Sequence, residues 1–196
     1  MTKKPTITVY TSAAGTRDSV RSDIVCFPPH SDYARPVMQA KVYKQLAHHF
    51  VQAEVSVWLD ANIFLLIDPQ KLVDEMLGDA DIGVFCHPDR DCIYDELQSI
   101  RFFKRDAPRT QEQVSHYLQL GWPKHAGLYN TGVLLRRNNI KTQAFNCAWW
   151  AEMCRFSTRD QLSFPIILAR FPQIKINKTK GRIEEHEWFK YINHKS

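Results

Sequence analysis

Val55-Ser56-Val57-Trp58-Leu59-Asp60-Ala61-Asn62 decides how this chain is to be read. The apolar run has the composition of a buried strand, and the aspartate falls where that strand gives way to a turn. In open α/β sheets, ligands bind beyond the carboxyl ends of the strands. A carboxylate in that place can hold a divalent cation against a diphosphate. Side chains at i and i+2 of an extended segment point the same way. Asp60 and Asn62 are therefore expected to face one ion or its waters, with Ala61 between them. A turn cap explains the same triplet equally well, so the rest of the chain has to arbitrate.

Upstream, Thr6-Ile7-Thr8-Val9-Tyr10 alternates as a first strand does, and a polar loop follows as far as Asp18. Ile24-Val25-Cys26-Phe27 is a short apolar run stopped by Pro28-Pro29, and residues 37–50 carry Val42, Leu46 and Phe50 at helical spacing. Downstream, Asp68-Pro69 opens a helix that ends near Leu77-Gly78. Ile82-Gly83-Val84-Phe85-Cys86 is a second buried strand, with a helix over residues 93–104 after it. Thr110-Gln111-Glu112-Gln113 has the capping-box pattern of a helix start, and Gly121 marks that helix's stop. Tyr129-Asn130-Thr131-Gly132 reads as a turn feeding a strand, and residues 145–153 as a helix. Ser157 or Thr158 then caps a helix carrying Asp160, and Ile174-Lys175-Ile176 is a late strand. Strands alternating with helices predict an α/β fold: one domain over residues 1–196, with a mixed, mainly parallel sheet flanked by helices.

Composition narrows the function classes. The 196 residues are 44% hydrophobic and 24% charged, which suits a packed core and argues against disorder. The net charge of +5 comes from scattered lysines and arginines, which fits a phosphate-bearing small molecule. A nucleic-acid surface would need a basic run, and none is found. Five cysteines without a C-x-x-C pair argue against a zinc ribbon and for a reducing compartment. No signal-peptide-like segment and no apolar stretch of membrane-spanning length is present, so a soluble, cytoplasmic protein is expected.

Several further residues lie where such a site would form. Asp160, near a helix start, would stay ionised; it could take a proton from an attacking hydroxyl, hold acceptor hydroxyls, or simply cap its helix. Arg159 and Gln161 flank it. His87 and Arg90 follow a strand and could bind a sugar hydroxyl or a phosphate. Arg35 and Lys41 could steady donor phosphates. Tyr10, Thr11 and Ser12 end the first strand, where a base could stack and a ribose be held, and Arg17 sits in the loop beyond. Asn130 and Thr131 offer polar groups to an acceptor, and His186 and His194 are late metal-ligand candidates.

Taken in order, these segments resemble a known family. Trp58-Leu59-Asp60-Ala61-Asn62, Ile67-Asp68-Pro69, His87-Pro88-Asp89-Arg90-Asp91-Cys92-Ile93-Tyr94-Asp95-Glu96, Gly127-Leu128 with Thr131-Gly132-Val133, the stretch from Phe145 to Glu152, and Phe156-Ser157-Thr158-Arg159-Asp160-Gln161-Leu162-Ser163-Phe164 follow the pattern of the plant mucilage-type (TOD-like) glycosyltransferase domain family. The chain is also similar to small chlorovirus glycosyltransferase domains proposed to decorate a capsid protein, which would place it in a host cytoplasm. The resemblance covers roughly residues 55–165. It implies a GT-A fold, with a nucleotide-sugar half over roughly 1–90 and an acceptor half over roughly 91–196. It also implies a nucleotide-sugar donor, most often a UDP-sugar, a glycan or glycoprotein acceptor, and Mn²⁺ or Mg²⁺. By that similarity Asp60 stands for the first acid of a D-x-D motif, while Asn62 replaces the second. A neutral amide binds metal more weakly, and His186 is the candidate to make up the ligand set. The same change motivates an alternative of another class, a nucleotide-sugar or carbohydrate-binding module without catalysis.

Overall fold

The computed structural model describes residues 4–13, 20–100 and 107–193, the side chains of 98–100 excepted. Arg17 and His194 lie outside the described residues. The strands are β1 (Ile7–Ser12), β2 (Val25–Phe27), β3 (Val55–Leu59), β4 (Ile63–Leu65), β5 (Ile82–Cys86), β6 (Tyr129–Arg137), β7 (Ile176–Thr179) and β8 (Phe189–Tyr191). The helices are α1 (Pro36–Gln45), α2 (Ala47–Phe50), α3 (Pro69–Met76), α4 (Ile93–Ile100), α5 (Ala107–Gln119), α6 (Ile140–Arg155) and α7 (Asp160–Ala169).

Six strands form one sheet in the order β2-β1-β3-β6-β5-β7, and β4 pairs with β8 beside it. β1 runs parallel to β2 and β3, and β5 parallel to β7, whereas β6 runs antiparallel to both its neighbours. This is the mixed, mainly parallel sheet expected. The reversed strand has a consequence for function: the amino end of β6 lies beside the carboxyl ends of β3 and β5, with Val133 opposite Leu59 and Tyr129 opposite Cys86. Asn130 and Thr131 therefore arrive at the ligand-binding edge inside a strand, not in the turn that the sequence suggested.

The period-2 alternation of the strands separates two cores. Tyr10, Trp58, Val84 and Leu134 face α1, α6 and α7, where Val42, Tyr43, Phe145, Trp149 and Phe164 pack against them. Val55, Val57, Leu59, Val133 and Leu135 face the other way, onto Leu72, Val73, Met76 and Leu77 of α3 and its end, with Ile183 and Phe189. A third cluster joins α4, α5 and α7 through Ile93, Leu97, Val114, Tyr117, Leu162 and Ile166.

Local sequence explains the starts of α3 and α6. Asp68 caps α3, accepting from the backbone nitrogens of Gln70 and Lys71, with Pro69 at the first helical position. Asn139 and Thr142 form a capping box for α6. Thr110, by contrast, is buried three residues inside α5, so its apparent capping box is not a helix start. The helix expected over 37–50 breaks at Leu46, whose backbone leaves the helical region, and resumes as the single turn α2.

Gly83 lets β5 lie against the end of α3: a Cβ there would sit 2.5 Å from the Met76 carbonyl oxygen. Gly83→Ala should destabilise the fold by about 1–3 kcal/mol through overpacking against backbone, read as a lowered urea midpoint with an unchanged slope.

Candidate functional site

The alternation of β3 turns Ser56, Trp58 and Asp60 toward α1. There the Trp58 Nε1–H donates to Asp60 Oδ1 at 2.7 Å. Lys41 and Lys44 stand three residues apart on α1, so they project from one face of that helix. Lys44 Nζ is a buried hub. It lies 2.7 Å from Asp160 Oδ2 and 3.6 Å from Asp60 Oδ1, and donates to Thr131 Oγ1 at 3.1 Å. Lys41 Nζ takes the other oxygen of Asp160 at 2.9 Å. One cluster thus joins Asp60, Asp160, Lys41 and Thr131, which the sequence proposed separately, through Lys44, which it did not single out. The signal for Lys44 was present in its i+3 spacing from Lys41.

The electrostatics follow from burial against pairing. Burial alone would raise Asp160, but Lys41 and Lys44 outweigh it and hold the carboxyl well below the usual range. Burial weighs most on Lys44 too, yet Asp160 and Asp60 together keep its ammonium above the usual lysine value. For Lys41 burial prevails over Asp160, and its value is pushed down. A carboxylate clasped by two ammonium groups is a weak proton acceptor. In this cluster Asp160 is held charged and fixed between the two lysines.

Asp60 is followed by a tight turn, in which the Ile63 nitrogen donates to the Asp60 carbonyl at 2.9 Å. The chain is not extended through Ala61 and Asn62, so the i, i+2 alignment of Asp60 with Asn62 does not hold. The second oxygen, Asp60 Oδ2, borders a notch over Gly132. A Cβ on that glycine would meet Asn130 Oδ1 and the Ile63 Cδ1 methyl at 3.2 Å and Asp60 Oδ2 at 3.4 Å. Two hard oxygens beside this notch suit a divalent cation, with the Ile63 methyl closing one side, and the Asp60 side chain is 46% exposed. The second oxygen comes from Asn130, whose Oδ1 also accepts from the Gly132 nitrogen at 3.0 Å.

The remaining sequence candidates divide sharply. Tyr10 is fully buried, edge-on to Trp58 and Phe27, with its hydroxyl accepting from Arg136 at 2.9 Å; it has no face for a base to stack on. Ser12 Oγ donates to the Phe27 carbonyl, binding β1 to β2, and Thr11 is buried beside it. Both His87 ring nitrogens are engaged: Nδ1 accepts from the Asp89 and Arg90 nitrogens, and Nε2 lies 3.2 Å from Arg90 Nη2. Burial pushes its value below that of free imidazole, against the pull of Glu96. Arg90 Nε donates to the buried Glu96 at 2.8 Å. His87 and Arg90 are thus struts of the loop after β5, not open sugar or phosphate ligands. Arg35 is exposed at the N-cap of α1, and Arg159 occupies the N-cap of α7. The Gln161 nitrogen donates to Asp160 Oδ1 at 3.1 Å. His186 packs on Phe85 and Trp188, one strand over from Asn130, and its Nδ1 accepts from the Trp188 nitrogen.

A sheet with one reversed strand, helices on both faces and an aspartate where β3 meets the ligand edge defines an α/β protein of the GT-A type. Residues 23–192 match the family described as TOD1/MUCI70, glycosyltransferase-like domain, and the chain belongs to that family. Two proteins of Arabidopsis thaliana are each 28% identical to it. One is "alkaline ceramidase TOD1", over 81% of this chain and 37% of that protein. The other is "probable hexosyltransferase MUCI70", over 71% of this chain and 26% of that protein. The chain therefore spans well under half the length of these relatives. A glycosyltransferase involved in glycosylation of the major capsid of PBCV-1 has a similar fold, with a TM-score of 0.50 at 12% identity over 90% of this chain and 82% of that one. Among the described residues no helix is long and apolar enough to cross a membrane.

Asp160→Asn should cost about 3–5 kcal/mol at neutral pH, because it strands two ammonium groups. A carboxyl whose folded value is depressed stabilises fully above its unfolded pKa of about 4 and loses that contribution as pH falls toward the folded value. The stability gap between wild type and Asp160→Asn should therefore narrow steadily below about pH 4, as measured by urea unfolding across that range.

Proposed function

We propose that this domain transfers a sugar from a nucleotide diphosphate donor, a UDP-sugar in the first instance, to a hydroxyl of a glycan or glycoprotein. The observation that carries the reading is the joining of Asp60 and Asp160 through Lys44 at the carboxyl edge of the sheet, in a chain of a glycosyltransferase-like family. The relative named as a probable hexosyltransferase supports it.

In this reading, the part of the chain up to about residue 90 binds the donor and the remainder binds the acceptor. Asp160 accepts hydrogen bonds from hydroxyls of the bound sugar and orients it, while Lys41 and Lys44 fix the carboxylate. Lys41, one-fifth exposed, also offers positive charge to the donor phosphates. Thr131 and Asn130 lie on the same edge for the reacting hydroxyls. A Mn²⁺ or Mg²⁺ ion would be held by Asp60 Oδ2 with Asn130 Oδ1. When bound, it supplies neutralisation of the departing diphosphate. An Asp160 that only positions the sugar suits retention of configuration better than inversion, which requires a base at the acceptor.

The relative named as a ceramidase poses a second chemistry. Hydrolysis of an amide needs a water activated by a base or a metal, and a carboxylate held as Asp160 is held does not supply the base. Both activities are assayed side by side, with nucleotide sugars plus Mn²⁺ in one arm and release of a free sphingoid base from ceramide in the other. Turnover of a nucleotide sugar is expected. Asp60→Ala, at a half-exposed side chain, should lower it by at least about 10²-fold and abolish metal-dependent donor binding by calorimetry. Ceramide hydrolysis without sugar turnover would overturn the proposal, and donor binding without any turnover would favour the non-catalytic module.

A further inference from the structure

Cys92, Asp95 and His125 each bring a metal-ligating atom to one place, all within 4.8 Å of one another. Cys92 immediately precedes α4, Asp95 lies one turn along it, and His125 comes from the loop before β6. Cys92 is 2% exposed. It is a buried soft donor aimed at a carboxylate and an imidazole. We propose that Cys92, Asp95 and His125 form a zinc site, oriented by Asp91, that staples the loop after β5 to the loop before β6.

Three physical points support the assignment. First, the imidazole has a partner that fixes its tautomer. Asp91 Oδ1 lies 2.7 Å from His125 Nδ1, and an ionised carboxylate only accepts, so Nδ1 carries the proton. In the neutral ring Nε2 then keeps its lone pair, and metal binding competes with the proton that Asp91 also favours. A carboxylate behind the ligating histidine is the arrangement that raises its basicity at zinc centres. Second, the spacing is close to closure. Zinc–ligand bonds of about 2.0–2.3 Å in a tetrahedron place ligand atoms roughly 3.3–3.8 Å apart, so about an ångström of side-chain movement completes the set. The backbone is already tied, since the Gly127 nitrogen donates to the Asp91 carbonyl at 2.8 Å. Third, thiolate, imidazole and carboxylate together select zinc over the oxygen-seeking Mg²⁺ and Mn²⁺. The site is thereby distinct in chemistry from the oxygen-lined notch at Asp60, and its assignment does not depend on sugar transfer. Three protein ligands leave the fourth position to water.

A second cluster, His48, His49 and Cys147, has similar spacing but the wrong protonation. Asn146 Oδ1 accepts from Arg136 at 2.7 Å, so its amide nitrogen donates to His48 Nδ1 at 3.3 Å. Burial, with His49 and Arg136 nearby, pushes His48 down to about 4, so the ring is neutral at pH 7 and its proton sits on Nε2, facing Cys147 Sγ at 3.6 Å. That nitrogen has no lone pair to give, and the cluster serves as an internal control.

The test is Zn²⁺ titration of the chelator-treated, reduced protein in competition with a chromophoric chelator, repeated in excess Mg²⁺. One equivalent should bind, undisturbed by Mg²⁺. His125→Gln and Cys92→Ser should each weaken binding by at least about 100-fold, and Asp91→Asn by about 10–100-fold, whereas Cys147→Ser should leave it unchanged. Co²⁺ should give a thiolate-to-metal absorption band that Cys92→Ser abolishes. His125 is exposed, so His125→Gln keeps the test decisive if Cys92→Ser fails to fold. Absence of stoichiometric binding, binding that survives His125→Gln, or loss of binding in Cys147→Ser would each overturn the proposal.

Discussion

The ammonium group of Lys44 is the constraint on which the ligand edge of this protein depends. Burying a lone ammonium costs several kcal/mol, and Lys44 is buried because Asp160 and Asp60 both reach it. At about 4 Å, opposite charges attract by roughly 4 kcal/mol at an intermediate dielectric, so two carboxylates can offset the desolvation of one cation. The converse also holds. Without Lys44, Asp60 and Asp160 would approach the same edge as like charges. One side chain from α1 therefore sets the relative position of β3, β6 and α7.

Lys44 is itself held from behind. Arg136, 1% exposed on β6, donates to the Lys44 carbonyl at 2.5 Å, to the Gln45 carbonyl at 3.3 Å, to Asn146 and to Tyr10. These are the carbonyls that the end of α1 leaves without intrahelical partners, so a buried guanidinium both caps the helix and fixes it to the sheet. The entry to α7 is pinned in the same manner. Ser157 Oγ donates to Gln113, Gln113 to the Tyr117 hydroxyl, and that hydroxyl to Glu152, a chain of bonds linking α5 and α6 to the residue that receives the Arg159 nitrogen. Networks of this kind specify one geometry because a less satisfied alternative is expensive, although Arg136 Nε itself is buried without a hydrogen-bond partner among the described residues. The rigidity of Asp160 is the sum of these supports.

The fold was legible wherever local chemistry and period agreed. The strand ending at Asp60, the Asp68-Pro69 helix start and the strand from Ile82 all stand in the structure, because each rests on short-range patterning. What escaped was long-range. The reversal of β6 leaves no mark in its own residues, so Asn130 and Thr131 read as a turn. The capping-box pattern at Thr110 is real as sequence, but Thr110 is buried inside α5, which is already helical from Ala107. The site divided by the same rule. Asp60 and Asp160 were legible as acidic residues at element ends. Lys44 and Arg136 were not, because a basic residue within a helix or strand is normally solvated, and only tertiary pairing makes it otherwise. His87 and Arg90 were over-read for the opposite reason: loop residues after a strand look available until a buried acid such as Glu96 engages them.

The charge balance of the cluster bears on the replacement of a second acid by Asn62. Lys41 and Lys44 are opposed by Asp60 and Asp160, so the four side chains sum to no net charge. A donor diphosphate brought to this edge would meet a neutral group whose cations are already occupied, and pulling Lys44 toward phosphate would expose Asp60 and Asp160 to each other. Lys41, one-fifth exposed, supplies part of the compensation, and the rest has to come from outside the cluster. The notch over Gly132 is placed to receive it, since Asp60 Oδ2 is the carboxylate oxygen there not engaged by Trp58. Position 62 lies in the turn after β3 and is not aligned with Asp60, whereas Asn130 is delivered to the notch by the reversed strand. On the proposed reading, the amide oxygen that matters to the cation is the one that topology supplies from β6, and the neutral residue at position 62 costs the site less than its motif would imply.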